Sequence, residues 1–119
     1  MMDDLKTQKS EQRRFNRVTL KVLKQNRSSL SKAHVITNVF YVFRKEDVER
    51  LIGALAESGY NAQGDPVEST AKSAEQWIVE AQASLVPKLA QVDCMTDECV
   101  EIAALHGGEY DGWYTEVIE

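Results

Sequence analysis

The sequence predicts an α+β fold: an antiparallel sheet with two helices on one face and an extra helix at the N-terminus. Three patterns predict it. Residues 34–43 are a run of β-branched and aromatic side chains, and residues 76–84 alternate apolar with polar. Two further stripes, Val48 to Leu55 and Val92 to Ala103, repeat at helical spacing. At 119 residues, 43% of them hydrophobic, the chain has the size of one domain and can bury a core without cross-links.

Residues 8–26 read as a helix. Phe15, Val18, Val22 and Leu23 fall at helical spacing, with Arg13, Arg14, Arg17, Lys21 and Lys24 between them. The string NRSSLS, residues 26–31, breaks it. Residues 34–43 (HVITNVFYVF) follow as the strongest strand. Val35, Val39, Tyr41 and Phe43 point one way and Ile36, Phe40 and Val42 the other, the pattern of a central strand covered on both faces.

Glu46 and Asp47 suit the positive end of a helix dipole. Val48, Leu51, Ile52 and Leu55 then form an i, i+3, i+4, i+7 stripe, and Gly59 stands where that helix ends. Residues 60–62 are expected as a short strand, Gly64-Asp65-Pro66 as a turn and residues 67–74 (VESTAKSA) as a loop. In the next strand Trp77, Val79, Ala81 and Ala83 share a side, opposite Ile78, Glu80, Gln82 and Ser84. Pro87 ends it. Val92, Met95, Cys99, Ile102 and Ala103 make the second helical stripe, Gly107-Gly108 stop it, and residues 109–118 read as the last strand.

After the first helix the order is β-α-β-β-α-β, which suggests the ferredoxin-like arrangement, two interlocked split β-α-β units with both helices on one face. The division is residues 1–30 as a basic N-terminal helix and residues 31–119 as the α+β domain. Laid over the free face of the sheet, that helix would explain a first strand apolar on both sides.

Two cysteines make no disulfide framework, no apolar run reaches the ~18–20 residues of a membrane span, and the charged start lacks the apolar region of a secretory signal. A cytoplasmic protein without a membrane partner is expected. The net charge of −5 is unevenly spread: residues 1–44 carry +7 and residues 45–119 carry −12. Such a division fits a basic arm on nucleic acid, an acidic body on a basic partner, or an arm folded back onto its own body.

Cys94, Cys99 and His106 invite a metal reading, but residues five apart lie about 140° around a helix and the remaining ligands of a four-coordinate site are missing. Cys99 is expected as a small core residue. His34 opens a strand and His106 closes a helix. Neither has a nucleophile in a known arrangement, and no phosphate loop, dinucleotide glycine pattern or zinc-protease helix is present, so neither catalysis nor a cofactor is expected. RNA-recognition domains share the β-α-β-β-α-β order, yet the third strand, EQWIVEAQA, lacks their aromatic run, and Phe40 and Phe43 are expected in the core. RNA contact, if direct, would come through phosphates from Arg13, Arg14, Arg17, Lys21 and Lys24.

The acidic stripe is more informative. Asp93, Asp97 and Glu101 fall at i, i+4, i+8 with Glu98 beside them, a spacing at which like charges repel by a few tenths of a kcal/mol per pair. Such a stripe is either a solvated helix face or a docking face for a basic partner.

The most specific string is at the C-terminus. HGGEYDGWYTEV, preceded by VDCMTDECVEIAAL, resembles the end of the RraB (regulator of ribonuclease activity B) family, in which a helix likewise runs into a strand beginning E-Y-D-G-W. The likeness extends back through the Trp77 strand to EDVERLIGALAESGY and covers residues 34–118. The resemblance implies an α+β sandwich and a non-catalytic protein that binds the endoribonuclease RNase E on its basic, non-catalytic scaffold part and changes its activity. Asp93, Asp97, Glu98, Glu101 and Asp111 are the residues expected to meet such a partner. Tyr110, Asp111, Gly112 and Trp113 match the family motif and are expected to serve the fold, Gly112 by permitting a bulge and Asp111 by bonding to nearby backbone. The best-known members carry an acidic N-terminal helix; here it is basic.

Overall fold

The computed structural model describes residues 2–66 and 76–119. Three helices and a four-stranded antiparallel sheet follow one another as α1 (Met2–Gln25), β1 (His34–Val42), α2 (Lys45–Glu57), β2 (Asn61–Pro66), β3 (Trp77–Leu85), α3 (Leu89–Leu105) and β4 (Gly108–Tyr114). The sheet order is β2-β3-β1-β4, so β1 is central and β2 and β4 are the outer strands. The expected loop at 67–74 lies outside the described residues.

β1 owes its place to its side chains. Ile36, Phe40 and Val42 are fully buried on the face that α2 and α3 cover, joined there by Val79 and Ala81 of β3, which pair with Phe40 and Asn38. From α2 come Leu51 and Leu55, and from α3 Val92, Met95, Cys99 and Ala103, all in one core. Burying the Val, Ile, Leu, Met and Phe side chains among them contributes about 1.5–3 kcal/mol each.

The helix ends are set locally. Gly59 has φ +94°, the left-handed turn that closes α2. Its N–H bonds to Ala56 O at 3.0 Å and that of Tyr60 to Leu55 O at 3.0 Å, the paired bonds that satisfy the last carbonyls of a helix. Gly107 closes α3 with φ +71°, and a Cβ there would stand 2.6 Å from the Asp47 carboxylate.

Several expectations are corrected. α1 begins at Met2 rather than near residue 8. β2 runs on through Gly64-Asp65-Pro66, which is therefore strand and not turn. An outer strand tolerates a terminal proline. Gly64 lets α2 approach, since a Cβ there would lie 2.9 Å from Val48 Cγ1. β4 stops at Tyr114, and the tail beyond it is held without a ladder: Thr115 Oγ1 donates to Val35 O at 2.8 Å and Ile118 N–H to Ser28 Oγ at 3.0 Å.

The largest correction concerns α1. It does not cover the free face of the sheet but packs against α3 and reaches β4 through Asn16. Val35 and Tyr114 consequently remain more than half exposed on that face, and Phe43, expected in the core, is 47% exposed. The reason lies in the side chains of α1. Asn16, Leu20 and Leu23 face inward, whereas Phe15, Val18 and Val22, three of the four residues of the expected stripe, are exposed.

Candidate functional site

α1 and α3 meet antiparallel, and the contact is built from charge and amide chemistry more than from apolar burial. Lys9 pairs with Glu101, and Arg13 Nη2 lies 2.5 Å from Asp97 Oδ2. One turn further on, Asn16 donates through Nδ2 to Asp93 Oδ1 and to Thr96 Oγ1, both at 2.9 Å. Positions 9, 13 and 16 ascending thus meet 101, 97 and 93 descending. Repulsion along the i, i+4, i+8 stripe is relieved by cations from the same chain.

Asn16 is the centre of this seam. It is fully buried, and its Oδ1 accepts from Trp113 Nε1 at 2.8 Å and from Gln12 Nε2 at 3.2 Å. One amide therefore links α1, α3 and β4 with both its donor and its acceptor engaged. Such a network is stable only while every member is satisfied. No signal in the sequence singles out Asn16, because a polar residue between arginines in a helix reads as solvent-facing.

The motif residues lie within β4. Tyr110 donates from Oη to Asn38 Oδ1 at 2.6 Å, and its ring lies 5.1 Å from that of Phe40. Burial raises its phenol well above the ordinary range. Gly112 is buried at φ +112°, where the β1–β4 register shifts between Val39 and Phe40. Trp113 is 5% exposed. Asp111 is exposed and lines an open groove.

That groove, about 420 Å³, runs between α1 and the outer strand β4. The other sequence-predicted residues are dispersed. Glu98 is exposed on α3; Arg14, Arg17, Lys21 and Lys24 are exposed on α1. Of the five basic residues considered for phosphate contact, Arg13 is committed to Asp97.

The cysteines and histidines sit apart from this surface. Cys99 is buried with its Sγ 3.8 Å from Tyr60 Oη, while Cys94 is exposed. His34 is fully buried: its Nδ1 donates to Lys32 O at 2.8 Å and its Nε2 accepts from Ser28 Oγ at 2.7 Å. Ser28 in turn receives the Ile118 N–H, so the imidazole fastens the α1–β1 connection to the tail. Among the described residues no group of three or more His, Cys, Asp or Glu is placed to hold a metal ion, and no helix is long and apolar enough to cross a membrane.

A family model described as "Regulator of ribonuclease activity B" matches residues 13–115. A search of curated proteins finds no match.

Proposed function

Because the chain belongs to the family of regulators of ribonuclease activity B, we propose that it acts by binding a ribonuclease of the RNase E type. It docks its acidic body on a basic segment of that enzyme and so modulates RNA degradation, with no bond made or broken. One observation carries this reading. The α3 carboxylates are spaced to grip a basic helix, and they hold one: Glu101, Asp97 and Asp93 take Lys9, Arg13 and Asn16 of α1. A basic segment of the partner meets the same chemistry at carboxylates left exposed on the body, Glu98 of α3 and Asp111 of β4 among them. Opposite charge speeds such an encounter and selects among partners.

A second reading has its own observation. Arg14, Arg17, Lys21 and Lys24 stand exposed along α1, where phosphates can reach them.

Cleavage of a structured RNA by RNase E, with rising amounts of this protein at two salt concentrations, tests the first reading. Cleavage is expected to fall, and to be unaffected when the RNase E lacks its basic scaffold. Cleavage unchanged with the intact enzyme removes the proposal. Direct RNA binding that weakens steeply with salt and disappears in an Arg14→Glu/Arg17→Glu variant selects the second.

A further inference from the structure

We infer that the groove between α1 and β4 seats an extended basic segment of a partner protein around one apolar anchor side chain. The inference rests on the reading of this chain as a regulator that docks on a basic segment, and it assigns a surface for the docking.

The groove has an apolar side and an acidic rim. Phe15 on α1, 50% exposed, faces Val100 of α3 and the body of Tyr110, and Val18 and Val22 continue the same side of the helix at 57% and 45% exposure. Apolar side chains left half bare in a row gain by being covered, at roughly 25 cal/mol for each Å². The rim is made by Glu11 of α1 and by Glu109 and Asp111 of β4. None of the three forms an ion pair with a described residue. α1 therefore divides the acidic charge of the body. On its α3 side the carboxylates are matched by Lys9 and Arg13, and on its β4 side they are unmatched among the described residues.

Position adds the third element. Among the described residues β4 is an outer strand bonded to β1 alone, so its far edge is open to an extended chain beside residues 109–111. The bulge, whose extra residue is Asp111, limits the pairing to a short stretch. Three unmatched carboxylates around an apolar floor select Lys or Arg flanking a single apolar residue, and they repel a nucleic-acid backbone.

Fluorescence anisotropy on the full chain tests this with a labelled peptide, acetyl-Arg-Arg-Leu-Arg-Arg-amide, against the same peptide with Gly replacing Leu. Saturable binding is expected, tighter for the Leu peptide. Affinity is expected to fall about tenfold in Glu109→Lys/Asp111→Lys. Glu11→Lys, on a different element, shifts it the same way, and Phe15→Ser erases the preference for Leu. Equal binding of both peptides, or affinity indifferent to the charge reversals, overturns the groove. So does a dimer in sedimentation that Phe15→Ser dissociates, because the occupant is then a second copy of this chain. RNase E cleavage run in parallel separates the two readings. Inhibition persisting without any peptide binding discards the groove and keeps the regulator, and peptide binding without inhibition keeps the groove and discards RNase E.

Discussion

The Trp113 indole N–H donates to the side-chain oxygen of Asn16 at 2.8 Å, across 97 positions of sequence. Through this bond and the two that Asn16 donates to Asp93 and Thr96, the first helix is fixed at once to α3 and to β4. α1 is thereby part of the fold rather than an appended arm.

Replacing Asn16 therefore has an expected order of effects. Asn16→Ala leaves the Trp113 N–H and the Thr96 hydroxyl without this partner and is expected to cost about 2–3 kcal/mol in urea unfolding. Asn16→Asp is worse, because a carboxylate then faces Asp93. Trp113 emission, read in a Trp77→Phe background, is expected to shift red in both. An unchanged midpoint with unchanged emission contradicts the seam.

The Lys9–Glu101 pair is exposed enough to be weak singly, with side chains 28% and 52% exposed. Lys9→Glu and Glu101→Lys are each expected to lower stability by about 0.3–1 kcal/mol, and the double reversal to recover most of it. The recovery is expected to shrink in high salt. A double variant as unstable as the sum of the singles argues against direct pairing.

Cys99 provides the pH test. Burial pushes its thiol from an ordinary 9.0 up to about 12, partly opposed by the bond to Tyr60. Between those values the unfolded chain has lost this proton while the folded chain keeps it. Stability is thus complete below 9.0 and falls as the pH rises toward 12. Tyr60 and Tyr110, also raised by burial, act in the same direction. Phenolate absorbance from both is expected to appear together with loss of helix. A disulfide reagent at neutral pH is expected to label exposed Cys94 quickly and Cys99 only on unfolding.

Two glycines are expected to behave oppositely. Gly53 lies within α2, and a methyl group in place of its hydrogen would find nothing inside 4 Å, so Gly53→Ala is expected to stabilise by about 0.5–1 kcal/mol. Gly107→Ala meets both a left-handed φ and the Asp47 carboxylate and is expected to destabilise by about 1–3 kcal/mol. Thermal midpoints of the two variants decide the matter.

The element order was legible because period-2 and period-3.6 patterns are written in single stretches, and Gly59 and Gly107 mark helix ends by backbone geometry alone. What could not be read is where an element with two candidate faces turns. For α1 the apolar residues Phe15, Val18 and Val22 outnumber Leu23 in the expected stripe, yet Asn16 and the ion pairs decide the seat. Those partners lie 77 or more positions away, and local periodicity carries no information about them. Gly64-Asp65-Pro66 misled for a similar reason: turn chemistry is shared by an outer strand under a close-packed helix. The acidic residues of α3 were visible as a stripe, but that their counter-cations come from α1 is a tertiary fact.

The distance in sequence between α1 and its seat has a consequence for synthesis. Residues 9–16 leave the ribosome some 80–100 positions ahead of Asp93, Asp97, Glu101 and Trp113. At ~5–20 residues per second that is a wait of roughly 4–20 seconds. During it, a segment rich in Lys and Arg sits beside the polyanionic ribosome with none of its own carboxylate partners yet made.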